Sequence, residues 1–212
     1  VQTCALPILI SDSSAMSSYL PGRMAMSVRW KTDEAILFGT GAGLPLGALV
    51  AAAAVTVTKD SGQAANTLSA TNLANMMARL LPDSFPRSVW LINNDVMPAV
   101  YTMTLGNYPI FMPPGSPNSP IGQAPYGMLL GRPIMVTQHA KSFSSQGDVI
   151  LVDLKGYRTI TKAEGIATAT SMHLYFDADA MAFRVTFRVD GSPKIAAPIS
   201  PAKGANQLSP FV

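Results

Sequence analysis

A cluster of glycines is the first candidate for ligand chemistry in this sequence. The run Gly39-Thr-Gly-Ala-Gly43 follows the apolar segment Ala35–Phe38, and glycines after a strand let backbone amides approach a pyrophosphate. The dinucleotide fingerprint needs its third glycine where this chain has Leu44, and Pro45 lies where a helix N-terminus should gather its amides. A nucleotide-binding enzyme that uses this turn therefore remains one alternative, beside a tight connection between two structural elements.

The other reactive residue types are sparse. Cys4 is the one cysteine, and no G-x-S-x-G elbow surrounds a serine. His139 and His173 fit polar residues at strand ends better than a base or a metal ligand. Asp177 and Asp179 can hold a divalent cation through two carboxylates, although tight turns also use Asp routinely. The sequence thus predicts no catalytic residue, no metal site and no cofactor.

Basic residues cluster in the last third of the chain, at Lys155, Arg158, Lys162, Arg184 and Arg188. Their charge suits the phosphates of a nucleic acid, but no aromatic residues are interleaved to read bases. The net charge of +3 is too small for a dedicated nucleic-acid binder. An ordinary solvated or salt-bridged face is the competing interpretation.

The composition limits the kinds of protein that can carry these residues. The 212 residues are 48% hydrophobic, but only 13% are charged, about half of the roughly 25% that is usual. Intrinsic disorder needs the opposite balance and is excluded. A surface so poor in charge indicates burial against other subunits, or coverage by Ser, Thr, Asn and Gln. A single cysteine also excludes a disulfide framework and a zinc ribbon, and a reducing compartment fits best.

Two apolar stretches resemble membrane signals but fit them poorly. Val1–Ile10 lacks a basic start and a small-residue cleavage site. Ile36–Val57 carries no charge, yet the glycines and Pro45 in its first half weaken the helix that a bilayer requires. We therefore expect no membrane partner.

Apolar spacing predicts three helices, over Ser13–Phe38, Ser69–Leu81 and Asn93–Gly106, with Asn94 as the cap of the third. Pro21 and Gly22 are expected to break, kink or delay the first of them. Strands or extended segments are predicted where β-branched and aromatic residues lie between turn residues: Ala51–Thr58, Val89–Ile92, Pro133–Thr137, Val149–Leu154, Tyr157–Thr161, Ile166–Thr170 and Met181–Val189.

Five stretches, in order, resemble the major capsid proteins of tailed phages with the Hong Kong 97 fold. Glu34–Ala48 is similar to the sequence that follows the family's long spine helix, and Val89–Asn94 to its short strand before a helix. The other three are Leu129–Val136, similar to the "LLGRPV" strand, Gly147–Tyr157, and the closing segment His173–Gly191.

The resemblance implies an α+β subunit with a peripheral lobe, which holds the spine helix and the last strands, and an inserted axial lobe. On this chain the peripheral lobe maps to residues 11–46 and 164–212, and the axial lobe to 47–163; residues 1–10 are expected to be extraneous. The subunit would be a structural protein and not an enzyme. It would self-assemble into hexamers and pentamers of an icosahedral shell around double-stranded DNA.

The resemblance also implies partners and a location. Portal and scaffolding proteins would join the shell, which would be assembled in the host cytoplasm and become part of the virion. Lys155, Arg158, Arg184 and Arg188 become candidates for facing the packaged DNA. An encapsulin compartment, which shares the fold but encloses cargo proteins, is the alternative within this fold.

Two further expectations follow from the family pattern. Its members carry an N-terminal arm and a long hairpin loop before the spine helix, so this chain is expected to be a fragment that lacks both.

Interface cores are depleted of charged residues, and the run Val96–Gly131 has none. Pro113, Pro114 and Gly115 in that run are therefore predicted to contact neighbouring subunits around the capsomer axis.

Overall fold

The computed structural model describes residues 13–105, 108–109, 111–112, 127–143, 145–162, 165–175 and 180–212. Several predictions concern positions outside these ranges: residues 1–10 with Cys4, the contact residues Pro113, Pro114 and Gly115, and the carboxylates Asp177 and Asp179.

The first helix, α1, is one uninterrupted element of 26 residues, Ser13–Phe38, about 39 Å long. The predicted break or late start at Pro21 and Gly22 is wrong, since both residues lie inside the helix. A proline removes one backbone donor, and here the helix continues for several turns on both sides of that missing bond.

The second helix, α2, spans Ala70–Arg79 and confirms the predicted helix; of the two caps that the sequence offers, Ser69 and Thr71, the structure uses Ser69. Ser69 and Asn72 form a reciprocal capping box: the Ser69 hydroxyl accepts from Asn72 N at 3.2 Å, and Asn72 Oδ1 accepts from Ser69 N at 3.1 Å. Leu73 and Met76 lie on the buried face. A 3₁₀ turn, Pro82–Arg87, then leads into the sheet.

A five-stranded sheet forms the centre of the molecule, with strand order β4-β5-β6-β1-β7. Strands β6 and β1 are parallel, and the other neighbours are antiparallel. The bounds are β1 Val89–Ile92, β4 Phe111–Met112, β5 Met128–Leu129, β6 Arg132–Val136 and β7 Val149–Val152. A separate short pair joins β2 Thr104–Leu105 to β3 Tyr108–Pro109.

Trp90 shows why β1 is an interior strand of this sheet, between β6 and β7. The run from Val89 to Ile92 is apolar throughout, as expected for a strand covered on both faces. Trp90 faces Ile134 on one side and Leu151 on the other, and it is fully buried. Its indole N–H donates to Leu129 O at 3.0 Å, so burial leaves no unpaired donor.

Residues 209–212 complete the core beside β7. Leu151 N donates to Val212 O at 2.8 Å, and Val212 N returns a bond to Leu151 O at 3.0 Å. Phe211 is fully buried, and Ser209 Oγ donates to Ala53 O at 2.6 Å. These residues thus contact a part of the chain that the sequence assigns to the other lobe; the lobe boundaries themselves remain predictions.

Two predicted elements are irregular or shorter in the structure. Ala51–Thr58, predicted as an extended segment, begins with turns, because the amides of Ala51 and Ala54 donate to carbonyls three or four residues back. The predicted helix Asn93–Gly106 is reduced to a 3₁₀ turn, Asn94–Val96, and a helix α3, Met97–Tyr101. Its cap is Asn93 rather than Asn94, since Asn93 Oδ1 accepts from Asp95 N.

The last strands form an antiparallel ribbon in two sections. A short 3₁₀ turn, Leu154–Gly156, leads into it. Strand β8 pairs with β11, and β9 pairs with β10. The predicted single strand Met181–Val189 is therefore divided, because the β9–β10 pairing ends at Ala167 and Thr186, and the β8–β11 pairing begins at Thr161 and Val189. The bounds are β8 Tyr157–Thr161, β9 Ala167–Tyr175, β10 Ala180–Thr186 and β11 Val189–Pro193.

Burial is unevenly distributed along the chain. The buried side chains lie within residues 35–157 and 209–212. In the described parts of 19–34 and 158–208, no side chain is buried. Helix α1 and the ribbon therefore extend from a core to which they contribute little. Within the described ranges, no helix combines the length and apolar character needed to cross a membrane.

Candidate functional site

The glycine cluster forms a tight junction between α1, the ribbon and the core. Gly39 N donates to Ala35 O, Gly47 N to Gly39 O, and Leu46 N to Gly191 O, each at 2.8 Å. A Cβ on Gly47 would lie only 2.5 Å from Gly39 N. The amides of Gly39, Leu46 and Gly47 are thus engaged by protein carbonyls. Close backbone approach accounts for Gly39 and Gly47, and a positive φ accounts for Gly41 and Gly43.

Tyr157 fastens the ribbon to this junction. The residue is buried, and its hydroxyl donates to Leu46 O at 2.8 Å. Burial raises the pKa of the phenol above its ordinary value, and the nearby Asp190 carboxylate raises it further. The phenol therefore stays protonated, and the bond to Leu46 persists, to higher pH than for an exposed tyrosine.

This pKa predicts an alkaline loss of stability. The folded chain holds the Tyr157 proton more tightly than the unfolded chain, whose pKa is near the ordinary 10.0. The stabilisation is thus complete below about pH 10 and is lost as pH rises through the raised value. In urea titrations, Tyr157→Phe should cost about 1 kcal/mol at neutral pH, because Leu46 O loses its donor. The free energy of unfolding of this variant should also decline less steeply above pH 10. A decline as steep as that of the unchanged chain would contradict the assignment of the alkaline loss to Tyr157.

The two histidines lie in different parts of the fold. His139 lies just after β6, and its ring centroid is 4.0 Å from that of Trp30 on α1. His173 is exposed on β9. Within the described ranges, no group of three or more His, Cys, Asp or Glu side chains could hold a metal ion.

Three of the basic residues share one face of the β8–β11 pair. Arg158 lies opposite Ser192, and Lys162 N donates to Arg188 O at 3.1 Å. Since residues opposite each other in antiparallel strands share a face, Arg158, Lys162 and Arg188 form one exposed surface, here called the basic face. Asp190 lies between them, opposite Ile160.

The other two basic residues lie beside this face. Lys155 precedes β8, and its carbonyl accepts from the Lys194 ammonium at 2.6 Å. The sequence did not identify Lys194 as part of this group, because the β8–β11 pairing is what brings it close to Lys155. Arg184 is exposed on β10, opposite Ala169. The structure thus brings Arg158 and Arg188 together and leaves Arg184 on the neighbouring strand pair.

Helix α1 carries an exposed apolar stripe that sequence analysis missed. Tyr19, Met26 and Trp30 are 46%, 65% and 50% exposed, and their spacing places them on one side of the helix. Arg23 lies on the same side, with its guanidinium 5.8 Å from the Tyr19 ring centroid. We call Tyr19, Met26 and Trp30 the α1 stripe. Their spacing was visible in the sequence, but spacing alone does not distinguish a face toward the core from one toward a partner.

The family profile and the solved structures that resemble this chain are both of capsid proteins. The sequence profile described as "Phage capsid family" matches residues 8–204. Two similar solved structures are the capsid of a native GTA particle (TM-score 0.65, 17% identity) and that of an empty GTA particle (TM-score 0.64, 16% identity), each computed with C5 symmetry. They cover 88% and 87% of this chain, which spans 65% of the length of each. No curated protein matches the sequence.

Proposed function

The chain belongs to the phage capsid family, and we propose that it is the structural subunit of an icosahedral shell built from hexamers and pentamers. The observation that carries this proposal is the unburied state of α1 and the ribbon. A helix gains most of its stability from packing an apolar face against other structure. Within the described chain the α1 stripe stays largely exposed, and Trp30 is covered in part by the His139 ring. We assign the partner of the exposed surface to neighbouring subunits.

The low charge supports the same assignment. Only 13% of the residues are charged, and interface cores are depleted of charge. Large exposed apolar side chains also occur away from α1, including Ile160 on β8 and Ile199. Scattered exposed apolar residues are normal on a monomer, but three of them aligned on one helix favour an interface.

We place the packaged double-stranded DNA against the basic face. Arg158 and Arg188 would bind phosphates without reading sequence, and Lys155 and Arg184 would add charge at its sides. The Arg158→Ser/Arg188→Ser variant should bind a random-sequence duplex more weakly. Its slope of log affinity against log salt should fall by about 2, because two phosphate contacts are lost. Fluorescence anisotropy at several salt concentrations measures both quantities.

A matched variant distinguishes DNA binding by the basic face from attraction by the net charge of the chain. Arg29→Ser/Lys31→Ser removes the same charge from exposed positions on α1 and should leave the slope within about half a unit of the original. Equal losses in both variants would show that the attraction is a property of the whole surface, and the DNA-facing assignment would then be abandoned.

The remaining parts of the proposal follow from family membership. The peripheral lobe would be residues 11–46 and 164–212, and the axial lobe 47–163. Pro113, Pro114 and Gly115 would contact neighbours around the capsomer axis. Portal and scaffolding proteins would join the assembly, which would take place in the host cytoplasm and yield a virion component.

Electron microscopy of particles from cells expressing the complete gene tests the proposal. Closed icosahedral shells containing double-stranded DNA are the expected result. Shells that enclose a protein cargo instead would indicate the encapsulin alternative. A small, well-defined oligomer with no shells would contradict both, and nucleotide binding at Gly39–Gly43 would then be tested with the Gly41→Ala variant.

A further inference from the structure

An exposed isoleucine, Ile160, lies at the centre of the basic face. Its side chain is 66% exposed, the largest fraction among the large apolar side chains that the structure describes. Ile160 lies on β8 midway between Arg158 and Lys162, and alternate residues of a strand point to the same side of it. An apolar contact is therefore available to any partner that the surrounding charges hold.

The cations of the basic face lie at its two ends. Arg158 is at one end, and Arg188, opposite Lys162, is at the other. The centre holds Asp190, directly across from Ile160, with one carboxylate oxygen accepting from the next backbone amide at 2.8 Å. Because a carboxylate repels phosphate and an isoleucine cannot bind it, phosphates are favoured at the ends of the face and disfavoured at its centre.

The spacing of these ends fits one groove of duplex DNA. Arg158 and Lys162 are four positions apart, which is about 13 Å along a strand. The major groove is about 12 Å wide and admits a two-stranded ribbon, whereas the minor groove is only about 6 Å wide. Cations at the two ends thus reach phosphates on both rims of the major groove, and the centre of the face lies over the base edges.

The major groove offers Ile160 one apolar group, the C5 methyl of thymine. The other groups that bases present there are hydrogen-bond donors and acceptors, and the minor groove carries no methyl. An isoleucine at the centre of the face therefore favours A·T pairs by burying this methyl group.

We propose that the β8–β11 pair enters the major groove of the packaged DNA, with Ile160 against thymine methyl groups and with Arg158 and Arg188 on the phosphates of the two rims. This inference rests on the proposed DNA contact at the basic face, and it adds an orientation and a preference for A·T pairs. The affinity then has two separable parts. Salt weakens the phosphate contacts, but it has little effect on the methyl contact.

Two duplexes that differ only in the thymine methyl test this orientation. One is an alternating A·T duplex, which presents methyl groups in every register, and the other carries uracil at each thymine position. Fluorescence anisotropy at several salt concentrations measures the affinity of the 212-residue chain for both. The thymine duplex should bind about fourfold more tightly, the value of burying one methyl group. The salt slopes should be equal.

Ile160→Ser locates the methyl contact. It should bring the thymine-to-uracil affinity ratio to about one and leave the salt slope unchanged, because no phosphate contact is removed. Ile199→Ser is the matched control, since Ile199 is 40% exposed and lies outside the β8–β11 pair. This variant should retain the fourfold ratio. Both isoleucines are exposed, so neither substitution should disturb folding.

The outcomes separate this inference from the proposal on which it rests. A ratio of one for the unchanged chain, or a fourfold ratio that survives in Ile160→Ser, would overturn the major-groove orientation alone. An equal fall of the ratio in Ile199→Ser would also overturn it, because the preference would then not depend on the basic face. If Arg158→Ser/Arg188→Ser keeps the full salt slope, the DNA-facing assignment itself fails, and the orientation fails with it.

Discussion

We expect a Met26→Lys variant to lose shell formation while its subunit remains folded. Met26 is 65% exposed at the centre of the α1 stripe, so a lysine there should change the free energy of unfolding by less than about 0.5 kcal/mol. At an interface the same lysine is buried without a counter-charge, which costs several kcal/mol per contact. The effect repeats at every copy in the shell. Negative-stain microscopy, together with thermal unfolding of the isolated subunit, measures the two effects separately.

Ser27→Lys provides the control for this substitution. Ser27 is adjacent, exposed and on the same helix, but it is rotated by about 100° from Met26. We expect this variant to assemble normally. If Met26→Lys also forms shells at the usual protein concentration, the α1 stripe is not an assembly surface.

Gly39→Ala should have the largest effect on stability. Its Cβ would collide with the backbone carbonyls of Pro45 and Ala35, and backbone cannot move aside as a flexible side chain can. Both carbonyls belong to the junction that joins α1 to the core. We expect a loss of more than about 4 kcal/mol, or failure to fold. Chemical denaturation followed by circular dichroism measures this loss.

Two other glycines serve as matched controls. Gly22 lies within α1 and has open space around it, so Gly22→Ala should stabilise the chain by about 0.5–1 kcal/mol. Gly43 also has open space but a φ of +72°, so alanine there should cost only the conformational strain of about 1–2 kcal/mol. Similar losses of stability in Gly39→Ala and Gly43→Ala would mean that backbone strain, and not a collision of the new Cβ, makes the junction intolerant of alanine.

Local patterns were sufficient for much of the fold. The α+β capsid fold of Hong Kong 97 type is confirmed, as are the strand Val89–Ile92 and the helix after Ser69. Each of these elements carries its own signal. An unbroken apolar run marks a strand covered on both faces, and the spacing of Leu73 and Met76 marks a helix with one buried face.

The errors arose where distant residues decide the structure. Val55 suggested an extended segment, but the bond from its amide to Phe211 O at 2.9 Å is contained in no local pattern. The strand Met181–Val189 is divided because its larger part belongs to β10, which pairs with β9, and Val189 belongs to β11, which pairs with β8. The sequence did not reveal that the α1 stripe is exposed, because apolar residues at helical spacing form the same pattern whether they face a core or a partner.

The position of Phe211 affects the order in which the chain can fold. Phe211 is fully buried against a sheet whose strands begin at residue 89, yet the ribosome adds it after nearly every other described residue. The sheet therefore lacks one of its largest buried side chains until synthesis reaches this point. Such long-range closure slows folding. It would also delay the fixed positioning of α1 and the ribbon, and so limit premature association between nascent chains on neighbouring ribosomes.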